Sequence, residues 1–151
     1  GNVIPYIGGE EEKVETEPQK ILGHFDGERI INAAFTISAS CHRVPVMDRH
    51  TEAIWVKMRD DPTPEEVRQA MLDFDPGLVE LPTSPKKALI VKDEPDRPQP
   101  RLDRMRGNGM SISVGRIRSG IRFICIGHNT VRGAAGASIL NAELLVKKGL
   151  L

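Results

Sequence analysis

The sequence contains little of several features that mark specialised classes of protein. It has two cysteines and 4% aromatic residues in 151 residues, and its 21 basic side chains are balanced by 21 acidic ones. Two cysteines are too few for a disulfide framework, so the sequence favours a reducing compartment. A net charge of zero provides no global field that would attract nucleic acid or an anionic membrane.

Long apolar runs are also missing. No stretch approaches the roughly 20 apolar residues that span a bilayer, and no charged-then-apolar leader opens the chain. The sequence therefore predicts a soluble, cytoplasmic protein with neither a nucleic-acid partner nor a membrane partner. Its 39% hydrophobic and 28% charged residues are typical of one globular domain. Because the chain starts without methionine and directly on a β-branched run, we expect it to be part of a longer protein.

Alternating apolar and polar residues predict most of the strands. The longest alternation covers residues 34–46 and is followed by a second strand over 51–59, which we expect to be its antiparallel neighbour. A short apolar run over 88–91 predicts a buried strand. The clearest hairpin joins 110–118 to 121–126, because Ser119-Gly120 is a suitable two-residue turn.

Three segments have helical patterns. Thr63-Pro64-Glu65-Glu66 combines an N-cap, a first-turn proline and the glutamate of a capping box, which predicts a helix over 63–75. The sequence also predicts a short helix between residues 10 and 22, which Pro18 either distorts or begins, and a helix over 132–147 capped by Asn129-Thr130. This order predicts an α+β fold in which helices cover one face of a mainly antiparallel mixed sheet.

Arg43 and His50 are the first candidate site residues, seven positions apart around a predicted strand end. Histidine exchanges protons near neutral pH, and the planar fork of an arginine suits a carboxylate. The structural alternative is that His50 caps a turn and Arg43 pairs with a surface acid. Spacing alone favours this alternative.

Two further segments contain residues that suit a polar ligand. Glu17 and Lys20 lie one helical turn apart and could form a polar clamp, although the pattern alone strongly favours an exposed helical ion pair. Residues 127–138 are rich in small side chains at the start of a helix, which also suits tight packing. No metal-ligand motif and no complete dinucleotide fingerprint is present, so the sequence predicts no metal site.

Five stretches taken together resemble aspartate-semialdehyde dehydrogenase, in the branch shared by archaea and fungi. They follow the order of the C-terminal catalytic and dimerisation part of that family and run nearly from end to end of the chain. The matching stretches are residues 2–11, 15–22 with its Glu-x-x-Lys pattern, 41–46, 97–103 and 128–136. The resemblance implies the C-terminal fold of enzymes of the glyceraldehyde-3-phosphate dehydrogenase type, and one domain over residues 1–151.

The resemblance also implies an activity and a set of site residues. The family reduces aspartyl phosphate to aspartate semialdehyde with NADP(H), toward lysine, threonine and methionine. His50 matches the acid/base histidine, and Arg43 matches the arginine that grips the substrate carboxylate. Glu17 matches the residue near the substrate amine, Lys20 the residue near phosphate, and Asn129 the side chain that meets the nicotinamide end of NADP. The family also forms homodimers or larger homo-oligomers.

The family's nucleophilic cysteine and NADP-binding domain match no part of this sequence. Cys41 and Cys125 alternate with strand residues in the manner of small core groups, so neither fits the nucleophile. We therefore expect half of an active site, and no dehydrogenase activity from this chain alone. Two other functions are open: a dimerisation or scaffolding domain without catalysis, and an anion-binding regulatory module that uses Lys20 and Arg43.

Overall fold

The fold was examined in a computed structural model that describes all 151 residues. The chain is α+β, as predicted, and divides into two compact units. An N-terminal unit covers residues 1–46 and a C-terminal unit covers residues 47–151.

The N-terminal unit is built on one helix, α1 (Glu10–Ile21), which confirms the short helix predicted here. Pro18 lies inside α1, and its carbonyl still accepts the Leu22 N–H at 2.9 Å. The helix is followed by a small antiparallel hairpin of β1 (His24–Phe25) and β2 (Ile30–Ile31). An aspartate carboxylate can accept backbone N–H groups within a tight turn, and here Asp26 Oδ1 accepts those of Glu28 and Arg29.

The predicted strand over 34–46 was wrong. This stretch forms no strand, and its β-type pairing is a single isolated antiparallel bridge between Ile4 and Arg43. Its backbone N–H groups use side chains of α1 instead: Glu15 accepts from Ala39 at 2.8 Å and Glu11 accepts from Cys41 at 2.9 Å. Alternation of side chains reports an extended backbone and does not report whether a neighbouring strand is present.

The C-terminal unit contains a four-stranded mixed sheet in the order β3-β6-β5-β4. Its strands are β3 (His50–Trp55), β4 (Leu89–Lys92), β5 (Ile112–Arg118) and β6 (Arg122–Gly127). The predicted hairpin is confirmed as the antiparallel pair β5-β6, but its two-residue turn was wrong, because Arg118 pairs with Arg122 and leaves the three residues 119–121 between the strands. Strand β4 pairs with β5 in parallel. The partner predicted for β3 was wrong, because β3 pairs with β6 and ends at Trp55 rather than at residue 59.

The helices of this unit begin where their caps allow. In α2 (Pro64–Asp73) the predicted capping box is present, with Thr63 and Glu66 bonded to each other's backbone. The last helix, α4 (Gly136–Lys147), begins later than predicted, after a π-helical turn over Val131–Ala135. Asn129 and Thr130 make no side-chain cap, because residues 131–135 take a wider turn before the α-helix starts. None of the helices is long and apolar enough to cross a membrane.

Apolar packing in the C-terminal unit joins α4 to the end of the sheet. Leu140 of α4, Leu81 and Met110 are all buried and form one core cluster. Leu78, Val131 and Leu144 pack around that cluster. Because Met110 precedes β5 and Val131 follows β6, the cluster fixes the position of the chain just beyond the end of β6, where Asn129 lies.

A buried ion pair holds the polar segment between β4 and β5, which includes the short helix α3 (Pro100–Asp103). The carboxylate of Asp103 is bonded to the Arg97 guanidinium and accepts the Gln99 N–H at 2.8 Å. Gly115 of β5 permits the close approach of this segment, since a Cβ at that position would lie 2.5 Å from the Arg97 carbonyl oxygen. Hydrogen bonding to Arg97 lowers the pKa of Asp103 to about 2.

We predict that Asp103→Asn destabilises the protein by about 3 kcal/mol at neutral pH, because it leaves the charge of Arg97 without its buried partner. A carboxylate with a lowered pKa contributes stability above its unfolded pKa, and this contribution is lost as the pH falls through the folded value of about 2. As the pH falls below ~4, the free energy of unfolding of the variant should therefore decrease less than that of the unaltered chain. Urea unfolding at several pH values measures both effects.

Asp93→Asn is the matched control, because the Asp93 carboxylate pairs with Arg68 while 73% of its side chain is exposed. An exposed pair contributes less than about 1 kcal/mol. Equal free energies of unfolding for the two variants would contradict a structural role for Asp103.

Candidate active-site residues

His50 lies at one end of the sheet, as the first residue of β3. Its register partner is Gly127, the last residue of β6, so no side chain faces the imidazole from the neighbouring strand. The His50 side chain is exposed and makes no hydrogen bond or ion pair. The imidazole is therefore accessible to a ligand at the sheet end, and the alternative in which His50 caps a turn is not observed.

The same sheet end positions Asn129, which lies two residues beyond the strand partner of His50. Its side-chain Oδ1 accepts the backbone N–H of Arg49 at 3.2 Å. This hydrogen bond orients the amide and leaves the Asn129 NH₂ group as an uncommitted donor. The structure thus brings together two of the predicted site residues, His50 and Asn129, through the residue that precedes the histidine.

Arg49 is a feature of this region that sequence patterns did not reveal. It is buried with 7% exposure, and its φ of 118° lies in the left-handed region that a residue with a side chain seldom adopts. The guanidinium Nε is 3.5 Å from Asp48 Oδ1, while Nε and Nη2 make no hydrogen bond. Burial lowers the pKa of Arg49, and Asp48 opposes that shift. No pattern in the sequence distinguishes this buried arginine from the exposed ones.

Three of the predicted site residues belong to the N-terminal unit. Glu17 and Lys20 lie on α1, both exposed, and they form no ion pair with each other. Arg43 is exposed, and its backbone forms both hydrogen bonds of the bridge to Ile4, at 2.9 and 3.0 Å. The structural alternatives, a helical ion pair for Glu17 and Lys20 and a surface ion pair for Arg43, are therefore not observed.

The two cysteines lie in surroundings that differ from each other. Cys125 is on β6 opposite Glu52, and its thiol donates to the carboxylate with a separation of 3.7 Å. Burial and the nearby charge of Glu52 raise the pKa of the Cys125 thiol to about 12, so it is protonated at neutral pH. Cys41 lies in the extended segment rather than in a strand, where Glu11 accepts its backbone N–H.

The C-terminal unit also contains an open cleft of about 740 Å³. Lys86, Lys87, Asn108 and Ser111 contribute its polar lining, and Val131 and Gly136 close it on the side of α4. Neither His50 nor Asn129 lines this cleft. No cluster of three histidine, cysteine or acidic residues is close enough to hold a metal ion.

Comparison with protein families gives a match over residues 1–132 to the model described as semialdehyde dehydrogenase, dimerisation domain. The chain is 59% identical to an aspartate-semialdehyde dehydrogenase of Archaeoglobus fulgidus over 99% of its own length and 44% of the relative's. It is 49% identical to the enzyme of the same name from Schizosaccharomyces pombe, covering 99% of this chain and 45% of that protein.

Solved structures give the same result. The structure of Candida albicans aspartate semialdehyde dehydrogenase with NADP superimposes with a TM-score of 0.88 at 41% identity, over 99% of this chain and 46% of that one. The aspartate semialdehyde dehydrogenase II of Vibrio cholerae, solved in complex with ASA, gives a TM-score of 0.77 at 28% identity, over 97% of this chain and 41% of that chain.

The chain therefore spans a little under half the length of the relatives that it matches. Its fold is that of the matching part of these enzymes, as the superpositions show. Since the family model covers most of the sequence, the chain belongs to the semialdehyde dehydrogenase family and contains its dimerisation domain.

Proposed function

We propose that this chain is the substrate-binding and dimerisation part of an NADP-dependent aspartate-semialdehyde dehydrogenase. The whole enzyme reduces aspartyl phosphate to aspartate semialdehyde and releases phosphate, a step in lysine, threonine and methionine biosynthesis. Support comes from the family match and from the relatives, all named for this activity. We place the enzyme in the cytoplasm, in keeping with two cysteines that form no disulfide.

The arrangement of His50 and Asn129 is the observation that carries this proposal. An accessible imidazole begins β3, and the residue before it orients the Asn129 amide by a hydrogen bond of 3.2 Å. Reduction of an acyl group to an aldehyde requires a proton donor next to the point at which hydride arrives. We assign proton transfer to His50 and contact with the nicotinamide end of the cofactor to Asn129.

Three exposed residues of the N-terminal unit supply the remaining recognition chemistry. Arg43 offers two parallel N–H donors, which suit the free carboxylate of the substrate. Glu17 suits its ammonium group, and Lys20 suits the phosphate as a compact positive charge. Because these side chains make no ion pair within the chain, binding a ligand would break no existing contact.

The residues around Asn129 suit contact with the nicotinamide end of NADP but not with the rest of the cofactor. The Asn129 NH₂ group is a free donor for a carboxamide oxygen, and the exposed small residues Gly133–Ala135 leave room beside it. No glycine-rich loop is present to hold a pyrophosphate. When bound, NADP supplies or accepts the hydride, and the greater part of the cofactor must be held by another part of the enzyme.

The nucleophile must also come from outside these residues. Acyl transfer of this kind requires a thiolate, and the Cys125 thiol, with its pKa raised to about 12, does not supply one at neutral pH. Neither cysteine lies beside His50 in the sheet register. The chain by itself is therefore proposed to be inactive, with a role confined to substrate recognition, proton transfer and dimerisation.

A chimera provides the full enzyme in which these roles can be tested. This chain replaces the matching 44% of the Archaeoglobus fulgidus enzyme, to which it is 59% identical. Activity is measured as NADP reduction that depends on both aspartate semialdehyde and phosphate. The unaltered chimera is the reference for the variants below.

In the chimera, His50→Ala should lower kcat about a hundredfold or more while changing the KM for aspartate semialdehyde much less, because the imidazole acts by proton transfer in the transition state. His24→Ala, at another exposed histidine in β1, is the control and should retain normal turnover. Normal turnover in His50→Ala would exclude the acid/base role.

Arg43→Lys should raise the KM for aspartate semialdehyde about tenfold, because an ammonium keeps the charge but loses the two-pronged contact with a carboxylate. The KM for NADP should not change. Arg29→Lys tests the same exchange at a side chain that is 79% exposed in the β1-β2 turn, and it should have no effect. Unchanged kinetics in Arg43→Lys would remove Arg43 from the substrate site.

We also predict that the isolated chain forms a two-fold dimer. The edge strand β3 is exposed along most of its length and ends in Trp55, which is 66% exposed, and aromatic residues of this kind are common in subunit interfaces. A two-fold pairing buries such a surface twice. Size-exclusion chromatography with light scattering at micromolar concentration should give twice the chain mass, and a 16.7 kDa monomer would contradict the prediction.

A further inference from the structure

We propose that Glu11 and Glu15 are positioning residues for substrate recognition, which hold the segment that carries Arg43 against α1. The proposal rests on the proposed function, because it takes Arg43 as the residue that binds the substrate carboxylate. Neither glutamate contacts the substrate in this proposal. Each acts by accepting a backbone N–H group.

The two glutamates and Gln19 form a regular stripe of side chains that hydrogen-bond to the backbone of residues 35–41. Positions 11, 15 and 19 are four residues apart and therefore share one face of α1. Along this stripe Glu11 accepts the Cys41 N–H at 2.9 Å and Glu15 accepts the Ala39 N–H at 2.8 Å. At the far end the Gln19 amide donates to the Phe35 carbonyl at 2.9 Å, and its backbone carbonyl accepts the Ala33 N–H at 2.8 Å.

The stripe adds a second restraint close to Arg43, besides the backbone bridge to Ile4. The Arg43 backbone exchanges two hydrogen bonds with Ile4, and Glu11 holds the chain only two residues earlier at Cys41. Ile7, in the same N-terminal stretch as Ile4, accepts the Glu10 N–H at the first turn of α1. Both restraints on Arg43 therefore begin at the same end of the helix.

The charges of the stripe have an electrostatic cost. Glu11 and Glu15 are like charges one turn apart, which repel each other and weaken a helix. The side-chain oxygen of a glutamine could accept the same hydrogen bond without that repulsion, so a glutamine variant separates the acceptor from the charge. The side chains of Glu17 and Lys20 lie outside the stripe and make no hydrogen bonds, so α1 separates its positioning side chains from those assigned to ligands.

The test uses the chimera with Glu11→Ala, Glu11→Asp and Glu11→Gln. Loss of the acceptor should let the segment shift and raise the KM for aspartate semialdehyde about tenfold, with kcat and the KM for NADP changed much less. Glu11→Asp keeps the charge but is too short to reach the Cys41 N–H, so it should share this effect even if the alanine variant does not fold. Glu11→Gln keeps an acceptor and should restore the KM. Glu12→Ala, an exposed neighbour on the helix, is the control.

The outcomes separate this proposal from the proposed function. A raised KM in Glu11→Asp, with rescue by Glu11→Gln and no effect of Glu12→Ala, supports the positioning role. A normal KM in Glu11→Asp beside a raised KM in Arg43→Lys overturns the positioning role alone. Normal kinetics in Arg43→Lys overturn the substrate role of Arg43 and this proposal with it. A fall in melting temperature and kcat without a change in KM would show that Glu11 only stabilises the fold.

Discussion

Backbone N–H groups that have no neighbouring strand must donate to other acceptors, and this constraint applies next to several of the proposed site residues. Side-chain oxygens satisfy it repeatedly in both units. Glu11 holds the segment that leads to Arg43, and Asn129 holds the backbone next to His50. Asp103 holds the polar segment between β4 and β5 in the same way. The backbone next to Arg43 and next to His50 is thus held in part by polar side chains and not by strand pairing alone.

This use of side chains divides the charged residues into two groups. Asp103 and Arg97 are committed to a buried ion pair that fixes the backbone. Lys20, Arg43 and Glu17 are exposed and form no ion pair, although the balance of 21 basic and 21 acidic residues offers many partners. A neutral protein can therefore keep charged side chains available for the substrate groups proposed above, which are a carboxylate, an ammonium group and a phosphate.

Sequence reasoning succeeded where a local pattern determines the structure. The capping box at Thr63 and the turn after Arg118 each specify an element through residues close together in the chain. The helix and the hairpin are both present, although the turn has three residues rather than the two predicted. The strand over 34–46 was wrong because pairing depends on distant residues, and here the partner is the face of a helix. The role of Asn129 as a helix cap was wrong for a similar reason, since its amide bonds to the backbone of Arg49, 80 positions away in the chain. The burial of Arg49 likewise follows from tertiary structure alone.

The central claim is that this chain provides the groups that recognise the substrate and the histidine that transfers a proton during its reaction. A crystal structure of the chimera with aspartate semialdehyde would test that claim most directly, through the distances from the ligand to Arg43 and His50. The account predicts that the ligand carboxylate lies within hydrogen-bond distance, about 3 Å, of both Arg43 guanidinium donors. It also predicts that the His50 imidazole faces the carbonyl group. A carboxylate bound elsewhere, with Arg43 still in solvent, would contradict it.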